Sequence, residues 1–166
     1  PGEDLVRICA ENDIEIVAVP GPSAAISALA ISGLPTSRFA FEGFLSTSKK
    51  QRYEHLESIS NDTHTLIFYE APHKLINTLN DMLTYLGDRK ISLCREITKL
   101  YEEVIRTTVS GAIAYYVEKS PKGEYVLIVE GAEKAPELEI SIDDAVIEVQ
   151  KLISSGMRST DACKEI

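Results

Sequence analysis

Cysteine is scarce in this sequence. The three present among 166 residues, Cys9, Cys94 and Cys163, are scattered and lack CxxC spacing. That excludes a disulfide scaffold and offers no zinc-ligand pattern, so no metal is expected and a reducing cytoplasm is the natural setting. Long apolar runs are missing too. None approaches the roughly 20 residues that cross a bilayer, so no membrane attachment is expected. Positive charge is in short supply, with 17 Lys and Arg against 26 Asp and Glu and a net charge of -9. Nonspecific nucleic-acid affinity comes mainly from cationic side chains, so a generic polyphosphate binder is disfavoured. The common nucleotide-binding and hydrolase templates are absent: there is no GxGxxG, no GxxxxGK followed by Ser or Thr, no GxSxG and no HExxH. Pro1-Gly2 opens the chain without Met or signal peptide and runs straight into an amphipathic stretch, as in a piece cut from something longer. What is present, 44% hydrophobic and 26% charged residues, suffices to bury a core of one domain, or of one and a half small ones.

Periodicity and punctuation give an order of elements. Leu5, Ile8 and Cys9 share one face of a helix starting near Glu3, with acids in its first turn, ending near Asn12-Asp13. Ile14 to Val19 is a β-branched strand candidate stopped by Pro20-Gly21-Pro22. Ser23 to Ile31 reads as a tightly packed helix ended by Gly33-Leu34-Pro35. Helix-strand-helix of this kind belongs to a parallel α/β layer, and by itself has no sheet to join. Next come a strand at Phe39–Leu45 and a basic loop, Ser46–Arg52, entering a helix with Tyr53, Leu56 and Ile59 on one side. A buried strand follows at Thr65–Tyr69, then a helix with Pro72 at its first position. Leu75, Ile76, Leu79, Met82, Leu83 and Leu86 form that helix's apolar stripe up to Gly87. Strands are expected at Lys90–Glu96, Glu103–Val109 and Glu124–Glu130, with a helix capped by Ser110 and running to Val117. After a polar linker, Ser141 and Asp144 make a capping-box-like pair for a helix ended by Gly156, and Ser159 caps a further helix start. That outline fits a helix-turn-helix or an ordinary helical hairpin.

Four clusters could carry chemistry. Val19 to Ala25 turns on Gly into a helix whose first N–H groups are unpaired; it is a plain turn or a seat for a carboxylate, ribose or adenine edge. Phe68 to Lys74 sits at a strand's C-terminal end, where α/β folds bind ligands, with Glu70 able to accept a hydrogen bond and His73 and Lys74 able to meet phosphate. The plain alternatives are a favourable charge near a helix start for Glu70 and a solvated residue for His73. Cys94 to Glu103 mixes Arg95, Lys99 and several carboxylates. Arg95 and Glu96 are a surface ion pair or the rim of a phosphate site, and Cys94 reads as a buried structural thiol. Ser46 to Arg52 is the densest basic stretch, either a solvated helix start or an RNA-backbone contact.

Pro20-Gly21-Pro22-Ser23-Ala24, Ser32-Gly33-Leu34-Pro35-Thr36, Phe41-Glu42-Gly43-Phe44-Leu45, Phe68-Tyr69-Glu70-Ala71-Pro72-His73 and Arg95-Glu96-Ile97-Thr98-Lys99-Leu100 occur in this order. Together they resemble the bacterial ribosomal RNA small-subunit methyltransferase I family, within the tetrapyrrole methylase superfamily of class III S-adenosylmethionine-dependent methyltransferases. The resemblance covers residues 1 to 131, and the tail from Ser141 resembles the helix-turn-helix of many members. It implies an α/β fold: residues 1–36 as the last helix-strand-helix of a Rossmann-like αβα domain, 37–132 as a second αβα domain with a mixed sheet, 133–140 as linker, and 141–166 as a truncated helix-turn-helix-like tail. The family's Gly-Asn-Leu, Glu-Asp-Thr-Arg and Asp-Ala-Gly-Thr-Pro segments are not found here, so an N-terminally truncated piece with little cofactor affinity of its own is expected.

The resemblance also implies an activity: 2′-O-methylation of a cytidine ribose in the decoding region of 16S ribosomal RNA, with S-adenosylmethionine as cofactor, the 30S subunit as partner and a homodimer as assembly. By this likeness Ser23, Ala24, Glu70 and Ile97 stand at cofactor-contacting positions, although relatives acting on tetrapyrroles often have Gly where Ile97 stands. Glu70, Arg95 and Glu96 are the candidates for activating the hydroxyl, and Lys49, Lys50, Arg52 and His73 for RNA contact. The competing expectations are a class III methylase of a tetrapyrrole or other small molecule, and a noncatalytic RNA-binding or dimerisation module.

Overall fold

The computed structural model describes residues 2–133 and 142–162. They fall into two compact units, Pro1–Ala132 and Glu133–Ile166. The linker over 134–140, Ser141 of the expected capping pair, and Cys163 lie outside the described residues.

The first unit is built on a five-stranded mixed sheet: β1 (Phe39–Phe44), β2 (Thr65–Glu70), β3 (Lys90–Arg95), β4 (Glu103–Thr108) and β5 (Tyr125–Val129). Their order is β1-β2-β5-β3-β4, with β1 and β2 parallel and every other pairing antiparallel. β2, β3 and β5 are almost wholly buried, which their unbroken apolar runs require.

The helices are α1 (Glu3–Glu11), α2 (Ala24–Ser32), α3 (Lys49–Ser58), α4 (Leu75–Leu86) and α5 (Val109–Tyr115). On one face of the sheet Leu66, Phe68, Leu93, Tyr125 and Leu127 meet Leu56 of α3, Leu75, Leu79 and Met82 of α4, and Ala112 of α5. On the other face Ile67, Cys94, Val126 and Ile128 meet Ala25, Ala28 and Leu29 of α2. The period-2 alternation of strand side chains splits neighbours such as Leu93 and Cys94 between these two cores. Gly33 (φ 79) and Gly87 (φ 82) end α2 and α4, at the places their sequence punctuation indicates.

Three local expectations are corrected. Residues 14–19 form no strand, and Ile14, Ile16, Val17 and Val19 are exposed. A strand exists only where a neighbour completes its ladder, and these residues pair with none of the described strands. Pro72 is not at the first position of α4, because Pro72-His73-Lys74 form a turn and the helix starts at Leu75. Ser110 does not cap α5: Thr108 does, its hydroxyl accepting from the Gly111 N–H at 3.2 Å, while the Ser110 N–H and hydroxyl bond the Asp88 carboxylate. The side chain that lies three residues ahead of an unpaired N–H wins the cap.

In the second unit α6 (Ile142–Ser154) stops at Gly156 (φ 100), and α7 (Ser159–Ala162) follows. Helix, glycine turn and helix start match the expected outline. Among the described residues no helix is long and apolar enough to cross a membrane.

Candidate functional site

β2 and β3 run the same way, with β5 antiparallel between them. Glu70 at the end of β2 and Arg95 at the end of β3 both pair with Tyr125, the first residue of β5. The loops leaving these levelled ends enclose a cleft of about 720 Å³. This is the position where open α/β sheets bind ligands. Its walls are largely apolar: Ala24 at the start of α2, Phe44, Tyr69, Ile97 and Val126. Tyr69 is wedged between Phe41 and Phe44, with ring centroids 5.1 and 5.5 Å away. Arg106 of β4 holds α2 in place by donating to the carbonyls of Ile31 and Ser32 at that helix's C-terminus.

Three carboxylates border the cleft, and each is engaged, Glu124 by the Lys99 ammonium at 3.0 Å. Glu70, 4% exposed, accepts from the Ala71 N–H at 2.8 Å and from the Thr78 hydroxyl at 2.5 Å. It ties the 70–74 turn to α4. Glu96 accepts from the Glu124 N–H at 2.9 Å and the Lys99 ammonium at 3.0 Å. The Glu124 bond first, then Lys99, holds its carboxyl below the usual range, and Glu96 and Glu124 in turn push Lys99 up. Glu96 and Thr98 have φ of 50° and 65°. Such left-handed residues persist only where bonds over-determine them, as the Thr98 N–H to Glu102 bond at 2.6 Å does here. Burial pushes the Cys94 thiol up, as expected for a structural rather than nucleophilic cysteine.

The cleft therefore brings together Ala24, Glu70, His73, Glu96 and Ile97. Ser23 stands at the N-cap position of α2 beside it, with no side-chain capping bond, and does not line it. Arg95 does not line the cleft. Strand alternation turns it to the opposite face, where it lies 3.5 Å from Glu103 and lines a separate cavity. Lys49 and Lys50 are exposed on the first turn of α3 rather than in a loop. Arg52 is largely buried, with its Nε 2.7 Å from Asp81 and a second bond to the Ser46 carbonyl, so it braces α3 against α4. Lys49, Arg52, Glu70 and Lys74 line a smaller cavity of about 260 Å³ that shares Glu70 with the cleft.

Sequence reading missed Glu124, Tyr125 and Val126 as cleft residues. Their only signal is the start of a buried strand, and nothing local says that β5 runs antiparallel and so begins where β2 and β3 end. Gly123 was missed as well. At φ 79, an added Cβ would lie 2.5 Å from the Glu96 Cγ and 2.8 Å from its Oε1. Gly123→Ala is expected to cost about 1–2 kcal/mol for the left-handed backbone alone and to expel the Glu96 side chain. Urea unfolding reads the first effect and the Glu124 amide resonance the second; an unmoved Glu124 amide would contradict this geometry.

A family model for tetrapyrrole (corrin/porphyrin) methylases matches residues 1–113. The chain is similar over its whole length to the ribosomal RNA small subunit methyltransferase I of Synechocystis sp., at 41% identity over 60% of that protein. It is likewise similar to the protein of that name from Halalkalibacterium halodurans, at 45% identity over 58%. The chain thus spans about three fifths of the length of the curated relatives it matches. Among solved structures, the methyltransferase CobJ superposes with a TM-score of 0.57 at 19% identity, over 78% of this chain and 56% of that one. A diphthine synthase from Entamoeba histolytica superposes with a TM-score of 0.53 at 15% identity, over 83% and 63%. At these identities the likeness is one of fold.

Proposed function

Because the chain belongs to the tetrapyrrole methylase family, we propose that it forms one wall of the S-adenosylmethionine cleft of a methyltransferase acting on small-subunit ribosomal RNA. In this reading the acceptor is the 2′-hydroxyl of a cytidine ribose in the decoding region of 16S RNA, presented on the 30S subunit, and the enzyme works as a homodimer. The observation that carries the reading is the cleft itself: Ala24, Glu70 and Ile97, three of the four residues expected at the cofactor, line one concavity at the strand ends.

The residues present fit such a cofactor. A cleft of about 720 Å³ lies within the roughly 300–1,000 Å³ of small-molecule sites, which are mostly apolar with a few placed polar groups. Ala24 and Ile97 offer apolar contact for a flat base, and Glu96, Lys99 and Glu124 supply charge at the border. The bound sulfonium would supply an electrophilic methyl group for in-line displacement, so alignment is the protein's main contribution. Glu70 and Glu96 act as positioning residues, since both carboxylates are spent on the loops that shape the cleft. Lys49, Lys50 and His73, all exposed, meet the RNA backbone, while Arg52 sets the attitude of α3.

The test is transfer of labelled methyl groups from S-adenosylmethionine by the protein carrying this chain, with 30S subunits and a tetrapyrrole as alternative acceptors. Label is expected in 16S RNA, and Ala24→Trp, which fills the cleft, should reduce transfer by about tenfold or more, equivalent to 1.4 kcal/mol. Label in the tetrapyrrole and none in 30S subunits would sink the RNA reading.

A further inference from the structure

Behind the cleft, on the other face of β3 and β5, is a second cavity of about 540 Å³. Arg95, Glu103, Tyr115, Tyr116, Lys119 and Lys122 line it. Three cations therefore face one carboxylate, in a chain whose net charge is -9. The carboxylate is already engaged: Glu103 accepts from the Tyr115 hydroxyl at 3.0 Å and lies 3.5 Å from Arg95. Lys119 sits 3.9 Å from the centre of the Tyr115 ring, and both Lys119 and Lys122 are exposed at the rim. Beneath them the Arg95 Nη2 donates to the Tyr101 carbonyl at 3.1 Å. The Arg95 Nε–H is buried and makes no hydrogen bond, alone in this among the described residues; its ion-pair partner, the Glu103 Oε2 at 3.5 Å, does not satisfy it. A buried guanidinium donor left unmade is costly and is satisfied by any acceptor oxygen that reaches it.

We propose that this cavity binds a phosphoryl group, with Arg95 as its directional donor and Lys119 and Lys122 as its counter-charges. The planar guanidinium fork matches phosphate oxygens, and the two ammonium groups add compact charge. The ligand is an RNA backbone phosphate or a free phosphate ion, and the RNA arm rests on the function proposed above. Adjacent residues lead to the two sites, Glu96 to the cleft and Arg95 to the cavity. A strand bound at one would therefore have only the ends of β3 and β5 to pass around to reach the other.

The experiment follows the Arg95 Nε–Hε resonance of the isotope-labelled chain, assigned by its loss in Arg95→Lys. Inorganic phosphate and a short single-stranded RNA are titrated separately at two salt concentrations. Either ligand should move the resonance, and the exposed pair Lys119→Glu with Lys122→Glu should weaken that effect about tenfold or more. For RNA the same pair should flatten the salt slope by about 0.7 for each backbone phosphate no longer neutralised. A response to phosphate but not RNA keeps the site and assigns it a free phosphoryl ligand. RNA binding that moves the Lys49, Lys50 and His73 region while leaving Arg95 still removes RNA from this site and spares the RNA reading. If neither ligand moves Arg95, or the charge reversals change nothing, the proposal falls.

Discussion

Tyr125→Ala should lower the stability of the first unit by about 3–5 kcal/mol, the range for truncating a buried aromatic side chain. Tyr125 is 2% exposed and belongs to the larger core. Its ring meets Tyr116 edge-on, with centroids 6.0 Å apart. Its hydroxyl accepts from the Tyr116 hydroxyl at 3.2 Å and from the Lys122 N–H at 3.3 Å. Burial and the bond to Tyr125 push the Tyr116 hydroxyl far above its ordinary range, so it stays a neutral donor. Tyr125→Phe separates packing from bonding: it keeps the ring, strands two donors, and should cost about 1–3 kcal/mol. Urea unfolding of both variants decides this. A Tyr125→Ala chain within about 1 kcal/mol of the parent would show that the ring is not packed into this core.

Glu70→Ala comes second in size. It strands the Ala71 N–H and the buried Thr78 hydroxyl, and hydrogen bonds to charged groups contribute about 1.5–3 kcal/mol each. A loss on the order of 3 kcal/mol is expected, with loosening of the 70–74 turn that borders the cleft. Thr78→Val should lose part of that, because it leaves a buried carboxylate one donor short, and Thr78→Ser should restore it. The double variant should lose less than the sum of the singles, the mark of a direct couple. Cofactor binding measured alongside separates the two roles open to Glu70. Weaker binding with lower stability fits a positioning residue, whereas weaker binding with unchanged stability would make it a direct contact.

Much of the fold is legible in the residues. β2, β3 and β5 announce themselves as short apolar runs, and α4 as a stripe from Leu75 to Leu86 closed by Gly87. Four of the five family-like segments supply cleft residues, because ligand loops carry small, charged and turn-forming residues; the fifth, residues 32–36, lies at the opposite end of β2, where the Pro35 carbonyl accepts from the Thr65 hydroxyl. Where the sequence misleads, the cause is competition between partners. Ile14 to Val19 has the composition of a strand and no ladder to join. Ser110 has the chemistry of a cap, but Thr108 is better placed and Asp88 captures the Ser110 hydroxyl. Arg52 belongs to a basic run, yet the packing of α3 on α4 sets it on Asp81.

By itself the sequence determined the elements, most of their ends and the set of residues able to do chemistry, since these depend on spacing, β-branching, glycine and proline. The tertiary structure alone decided which of them meet. Inserting β5 antiparallel between β2 and β3 levels three strand ends and brings Tyr125 and Val126 into the cleft. The alternation of a single strand sends Cys94 to one core, Arg95 to the far cavity and leaves Glu96 at the cleft. Strand order and direction are settled by long-range pairing, in which each strand buries its two faces against different helices, and that choice leaves no local mark on the chain.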